Sequence, residues 1–187
     1  MPKYDAFHGN LDDFKYGVVF DPEGRPVPIS RFWDKTAAIL IFLRHFGCIA
    51  CRAHAQEVWK NRENVEKNGG RIIFIGNGAP NFIEGFKKDF NLENAPIFTD
   101  PTLKIFKMGG FLHGLPHLVN VQSLSKMAAL VKEGHSNGNP FKPGTGNNFQ
   151  MGGVIIIHPG VKVTYHYISE SVGDTPDSAA LKTNESE

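Results

Sequence analysis

Cys48 and Cys51 are the two cysteines of this chain, and only Ile49 and Ala50 separate them. The pair directly follows a strand-like apolar run and begins a helix-like run. A thiol at a helix N-terminus is stabilised as a thiolate by the positive end of the helix dipole. Two intervening residues allow one turn of helix to bring both sulfurs within bonding distance. The spacing therefore predicts a dithiol/disulfide redox centre.

Basic or potentially basic side chains flank the pair in the sequence: Arg44, His45, Arg52 and His54. Such neighbours lower the pKa of a cysteine from about 8.5 to roughly 3.5–7.5. We expect Cys48, nearer the helix start and more exposed, to attack a disulfide, peroxide or endoperoxide as a thiolate. Cys51 would then close the disulfide. His45 either assists proton transfer or only forms a hydrogen bond at the strand end, and His54 is expected on the helix surface.

Two other interpretations of these residues stay open. The spacing His45-x-x-Cys48-x-x-Cys51-x-x-His54 offers four zinc-type ligands, although closing them into a tetrahedron looks strained. The cysteines could also be no more than small core residues, since free cysteine is often buried. In that case the protein would be a non-enzymatic binding module.

The elements that must position the cysteines alternate between strand and helix patterns. Strands are predicted over 16–20, 37–44, 71–75 and 96–100, with a hairpin over 153–167. Helices are predicted from the cysteine pair to a stop at 68–70, over 82–90, 103–108 and 115–132, and a short one after the cap at 174–177. The segment 133–148 is rich in Gly, Asn and Pro and is predicted to be a long loop. The glycines at 76–78 and 144–146 lack a phosphate-loop pattern and are interpreted as turns.

This order predicts an α/β fold, a thioredoxin-like three-layer sandwich with a central mixed sheet and a closing antiparallel hairpin. The unbroken apolar run 37–43 indicates a central strand that is covered on both faces. The cysteines would follow the end of that strand. Residues 1–187 are expected to form one domain with a polar tail from about 182.

The composition excludes several classes of protein. The formal net charge is +1 and no long Lys/Arg block occurs, which argues against nucleic acid or a membrane surface as partner. No apolar run approaches the length of a membrane span or a signal peptide. Two cysteines do not form a secreted disulfide framework, so we expect a cytoplasmic protein.

The segment 41–52, Ile-Phe-Leu-Arg-His-Phe-Gly-Cys-Ile-Ala-Cys-Arg, resembles the Phe-Leu-Arg-His-Phe-Gly-Cys-x-x-Cys-Arg signature of peroxiredoxin-like proteins in the AhpC/TSA group. That branch of the thioredoxin-like family includes the prostamide/prostaglandin F synthases. Residues 99–101, 149–153 and 173–174 also match, and the resemblance covers roughly 17–181. It implies an antioxidant thiol oxidoreductase that acts on peroxides, lipid endoperoxides or disulfides. Electrons would come from thioredoxin, glutathione or an NADPH-linked reductase, with no bound metal or flavin, in a monomer or homodimer.

The chain departs from the resemblance at three positions. Typical peroxiredoxins carry Pro-x-x-x-Thr-x-x-Cys, and here Ile41 and His45 occupy the proline and threonine positions. Gly152 stands where peroxiredoxins place an arginine and thioredoxins a cis-proline. The resemblance then implies that Arg44 or Arg52 supplies the missing cation, that the pocket at Gly152 is more open, and that hydrogen peroxide is a poor substrate.

Overall fold

A seven-stranded mixed sheet organises the computed structural model, which describes residues 7–67, 69–114, 121–132 and 142–183. Its strands are Val18–Phe20 (β1), Pro26–Pro28 (β2), Ala38–Phe42 (β3), Arg71–Gly76 (β4), Ile97–Thr99 (β5), Gly153–His158 (β6) and Lys162–Ile168 (β7). Their order is β2-β1-β5-β4-β3-β6-β7. Strands β3, β4 and β5 are parallel, and β6 and β7 close the sheet as an antiparallel hairpin beside β3.

Strand β3 is central because all five of its residues are apolar and buried. It is parallel to β4 and antiparallel to β6, so its backbone groups have partners on both edges. The pleat of the strand directs Ile39 and Ile41 into one core, and Leu40 and Phe42 into the core on the opposite face. Burial of each such side chain stabilises the fold by about 1.5–3 kcal/mol.

Helices cover both faces of the sheet. They are Leu11–Phe14 (α1), Ile49–Lys60 (α2), Arg62–Glu66 (α3), Ile83–Asp89 (α4), Lys104–Met108 (α5) and Val121–Lys132 (α6), with 3-10 turns at Ile29–Phe32, Pro80–Phe82 and Ser178–Ala180. Helices α2, α3 and α4 contribute to the core that contains Ile39. Helices α1 and α5 contribute to the core that contains Leu40. The predicted three-layer thioredoxin-like α/β sandwich is therefore confirmed.

Several predicted boundaries are wrong. The helix predicted from the cysteine pair to the stop at 68–70 does begin there, at Ile49, but it is interrupted at Asn61, which separates α2 from α3. The helix predicted from 82 starts with a 3-10 turn, and α1 and β2 were not predicted. Helix α5 begins at Lys104, one residue after the predicted start at 103, because Leu103 adopts a left-handed φ of 61°. Asp100 still caps it, since its carboxylate accepts the N–H of Ile105 at 2.7 Å.

Parts of two further predictions lie outside the described residues. The helix predicted over 115–132 is described from Val121, and the loop predicted over 133–148 only from 142. The polar tail predicted from about 182 is packed at least as far as Thr183, which is buried next to Gly70. Within the described part of the chain, every helix is too short or too polar to cross a membrane.

Candidate active site

Cys48 occupies the N-cap of α2. Its Sγ atom accepts the main-chain N–H of Cys51 at 3.4 Å, and its carbonyl accepts that of Arg52 at 3.1 Å. The Cys48 N–H in turn donates to the carbonyl of His45 at 3.1 Å. Because of this turn the Cys48 sulfur takes the place of a Ser or Asp side chain at a helix start, where the helix dipole favours an anion.

Arg44 contacts both sulfurs. Its Nη1 atom lies 3.5 Å from the Sγ of Cys48, and its main-chain N–H donates to the Sγ of Cys51 at 3.3 Å. Of the two arginines expected to supply a cation, Arg44 is therefore the one that lies next to Cys48.

Main-chain carbonyls more than 100 residues away along the chain hold the Arg44 guanidinium in place. Its Nη2 donates to the carbonyl of Asn148 at 2.7 Å, and its Nε to that of Gln150 at 3.3 Å. The buried Gln150 amide fixes this segment by donating to the carbonyls of Leu112 and Met151. The orientation of the cation therefore depends on the segment that precedes β6.

Asn77, directly after β4, links the loop between β3 and α2 to the segment before β6. It was not predicted as a site residue. Its amide nitrogen donates to the carbonyl of Arg44, and its amide oxygen accepts the N–H of Asn147 at 2.8 Å. Gly76 allows the Phe46 ring to pack closely, since an added Cβ would lie 2.5 Å from the ring. A polar residue between two glycines directly after a buried strand was the available sequence signal.

Arg52 has a different role from Arg44. Its Nε and Nη2 atoms donate to the carbonyl of Phe46 at 3.0 and 2.9 Å, and its guanidinium lies 4.4 Å from the centre of the Phe90 ring. Arg52 thus stabilises the loop between β3 and α2, and within the described residues its guanidinium donates to a carbonyl and not to either sulfur.

The two thiols have opposite pKa shifts. The pKa of Cys48 is lowered from 9.0 to about 6, first by a hydrogen bond from the Cys51 thiol and then, against the opposing effect of burial, by the charge of Arg44. The pKa of Cys51 is raised well above 9.0, because Cys51 donates to Cys48 and is buried. At neutral pH the pair holds one thiolate, on Cys48, and one thiol, on Cys51.

The expectation that Cys48 is the more exposed cysteine is wrong. Cys48 is 5% exposed and Cys51 is 7% exposed, and Arg44, which contacts both, is itself buried. The sulfurs belong to the core that also contains Phe46 and Ala50. Arg44, held by its bonds to Asn148 and Gln150, packs against both of them.

The two flanking histidines are both buried, so the predicted surface position of His54 is wrong. Burial, followed by the charges of Arg44 and Arg52, lowers the pKa of His45 to about 3. Burial lowers the pKa of His54 to about 4. His54 is covered because the segment after β7 packs next to α2 and brings Pro176 to the same small cavity. Both rings are neutral at pH 7.

A small cavity lies between α2, the end of β3 and the segment after β7. Its volume is about 20 Å³, which suffices for one water molecule. Gly152 lines it, but an added Cβ at Gly152 would lie 2.1 Å from the carbonyl oxygen of Phe42. This glycine therefore serves a close approach of two backbone segments, and a pocket more open than in peroxiredoxins and thioredoxins stays a prediction.

The zinc alternative has no geometric support. Within the ranges that the structure describes, no group of three or more His, Cys, Asp or Glu side chains converges as metal ligands would. His45, Cys48, Cys51 and His54 lie close together in sequence but do not converge as a ligand set.

Comparison with known proteins adds independent information. The family model for AhpC/TSA antioxidant enzymes matches residues 58–171, a stretch that contains Asn77, Asn148 and Gln150 but begins after both cysteines. A prostamide/prostaglandin F synthase of Danio rerio is 30% identical over 160 residues, which cover 82% of this chain and 76% of the relative. A chloroplastic thioredoxin-like protein of Arabidopsis thaliana is 25% identical over 177 residues, covering 90% and 69%. The crystal structure of peroxiredoxin Q from Xanthomonas campestris covers 90% of each chain with a TM-score of 0.61 at 9% identity, which indicates a common fold.

Proposed function

Because this chain belongs to the AhpC/TSA antioxidant-enzyme family and is a thiol-dependent oxidoreductase, we propose that Cys48 and Cys51 are its redox-active dithiol. One observation carries the proposal. The Sγ of Cys48 lies at the N-cap of α2 and within 3.5 Å of the Arg44 guanidinium. This environment stabilises a thiolate, which is the nucleophilic form of cysteine.

In the first step the Cys48 thiolate attacks one oxygen of a peroxide, R–O–O–H. A sulfur–oxygen bond forms while the oxygen–oxygen bond breaks, and the departing alkoxide takes up a proton to become an alcohol. Cys48 is left as a sulfenic acid. Arg44 is the group that stabilises negative charge as it moves from sulfur to the departing oxygen, because its guanidinium is already held in place before substrate arrives.

In the second step the sulfur of Cys51 attacks the sulfur of Cys48. The disulfide forms and the hydroxyl of the sulfenic acid leaves as water. Two electrons from an external thiol donor, for which we propose thioredoxin, glutathione or an NADPH-linked reductase, then return both cysteines to thiols. We propose that His45 and Arg52 support the loop between β3 and α2. We propose that Gly152 allows the segment before β6 to pack closely against the end of β3.

Peroxides are the substrate class that the site fits best. Both sulfurs are nearly buried, so a hydroperoxide reaches them more easily than a disulfide in a folded protein does. The similarity to prostamide/prostaglandin F synthases supports testing cyclic endoperoxides as well, where the same oxygen–oxygen cleavage would give two hydroxyl groups. A cytoplasmic location stays a prediction.

The test is oxidation of the reduced protein by one equivalent of cumene hydroperoxide, followed by intact mass. Wild type should lose two hydrogens, as a disulfide does. Cys51→Ser should stop at a Cys48 sulfenic acid that dimedone traps, and Cys48→Ser should leave the peroxide unconsumed. If Cys48→Ser consumed peroxide as fast as wild type, Cys48 would not be the nucleophile.

A further inference from the structure

His54 shares a helix face with Cys51, because it lies three residues further along α2. Both side chains line the cavity of about 20 Å³, which has room for one water molecule. The cavity therefore connects a buried thiol to a buried imidazole.

The imidazole of His54 has hydrogen-bonding capacity that its described neighbours do not use. Pro176, from the segment after β7, lines the same cavity beside the ring. The buried Nε2 has no hydrogen-bond partner among the residues that the structure describes. A neutral imidazole has one N–H and one nitrogen with a lone pair, so the ring offers one proton acceptor. A buried polar atom without a partner requires an explanation.

We infer that His54 accepts the proton of the Cys51 thiol while the disulfide closes, through one water molecule held in this cavity. The inference rests on the proposed function. The thiol proton passes to the water, which gives a proton to the imidazole of His54. The sulfur–sulfur bond then forms and the sulfur–oxygen bond on Cys48 breaks. The departing hydroxyl takes the proton back from the imidazolium and leaves as water, so no further reactant is needed.

An acceptor is needed because Cys51 is the less acidic thiol of the pair. Oxidation of Cys48 removes the anion that contributes most to this raised pKa, so the transfer becomes easier when it is required. His54 has its lone-pair nitrogen at neutral pH, because burial lowers its pKa to about 4.

The titratable and charged groups that line the cavity with His54 are Arg44 and Cys51, from the site itself, and Asp174, from the segment after β7. Arg44 is a cation and accepts no proton. The two carboxylate oxygens of Asp174 already accept the hydroxyl of Tyr167 and the N–H of Glu170. His54 is therefore the acceptor that the described residues favour.

The experiment separates the two chemical steps by rapid-quench intact mass after mixing with cumene hydroperoxide. Gain of one oxygen reports the Cys48 sulfenic acid, and loss of two hydrogens reports the disulfide. Both rates are measured between about pH 5 and 8 for wild type and His54→Gln, since glutamine keeps hydrogen-bonding capacity but accepts no proton. His158→Gln is the matched control, because His158 lies at the far end of β6 and bonds to Thr164.

We expect wild-type closure to be nearly independent of pH over this range, since the acceptor stays neutral and Cys51 stays a thiol. In His54→Gln, closure should slow by about 100-fold at pH 7, at the lower end of what positioned acid–base groups contribute. It should also rise about tenfold per pH unit, because closure then waits for Cys51 to ionise. Sulfenic acid formation should be unchanged, and His158→Gln should behave as wild type.

Each outcome bears on a separate claim. Normal sulfenic acid formation with unchanged closure in His54→Gln would overturn the role of His54 alone. Absence of Cys48 oxidation in wild type would overturn the proposed function and this inference with it. If His54→Gln did not fold, the wild-type profile would decide by itself, since a tenfold rise per pH unit would show that no internal acceptor operates.

Discussion

Replacement of Arg44 by glutamine tests the main electrostatic feature of the site. The pKa of Cys48 is about 6, lowered from 9.0, and the Arg44 charge and hydrogen bond are two of the causes. An opposite charge at this distance typically changes a pKa by about 1–3 units. The Cys51 hydrogen bond, the largest cause, remains in the variant. We therefore expect a Cys48 pKa of roughly 7–8, equivalent to about 1.4–2.7 kcal/mol of lost thiolate stabilisation.

The consequence at pH 7 is a fall in the thiolate fraction of Cys48 from roughly 90% to between about 50% and 10%. The pH dependence of iodoacetamide alkylation, followed by intact mass, measures this change directly. Arg44→Lys keeps a positive charge but loses the paired bonds to Asn148 and Gln150, and it should give an intermediate pKa. Arg52→Gln removes a nearby charge without removing a sulfur contact and serves as the control.

An alkylation midpoint in Arg44→Gln within about half a pH unit of wild type would refute this reasoning. The low pKa would then arise from the helix start and the Cys51 hydrogen bonds alone. A larger shift in Arg52→Gln than in Arg44→Gln would equally contradict it.

Further predictions concern stability. Gly152→Ala should destabilise the protein by at least about 2 kcal/mol, because the added Cβ would lie 2.1 Å from the Phe42 carbonyl oxygen. Gly85→Ala is the control, and urea unfolding measures both variants. Position 85 is helical and has open space for a Cβ, so alanine should stabilise the protein there by up to about 1 kcal/mol. Equal changes in unfolding free energy for the two variants would contradict the packing argument. Acid should also destabilise the fold. The pKa values of His45 and His54 in the folded protein, about 3 and 4, lie below the unfolded value of 6.5. The contribution of the two neutral rings to stability is therefore complete above pH 6.5 and is lost as the pH falls towards 4. By pH 4.5 the loss is on the order of 2 kcal/mol for each ring. Urea midpoints that do not change between pH 7 and 4.5 would disprove the neutral burial of these rings.

The sequence predicted the elements whose signals are local and strong. The apolar run of β3 could only be a buried strand, and the hairpin of β6 and β7 was marked by apolar residues on both sides of Pro159-Gly160. The short strand β2 was missed because Pro26 and Pro28 are its end residues. Proline is tolerated there because β2 is an edge strand.

At the site, the residue types were predictable but their arrangement was not. The position of Cys48 at a helix start followed from the order of strand and helix. The choice of Arg44 over Arg52 depends on carbonyls of Asn148 and Gln150, about 100 positions away, whose backbone groups carry no residue-specific signal. The burial of His54 depends similarly on the segment after β7, which a helical periodicity within α2 cannot reveal.

The direct continuation of β3 into the cysteine loop has a consequence for amide hydrogen exchange. Backbone amides in β3, paired on both edges and covered on both faces, should open only when the whole protein unfolds. Leu43 continues this ladder by donating to the carbonyl of Ile75 at 2.8 Å, one residue before Arg44. The anchor of the cysteine loop thus belongs to the last cooperative unit to open. In rising denaturant, the wild-type chain should keep its Cys48 reactivity until the global transition and lose it together with the fold.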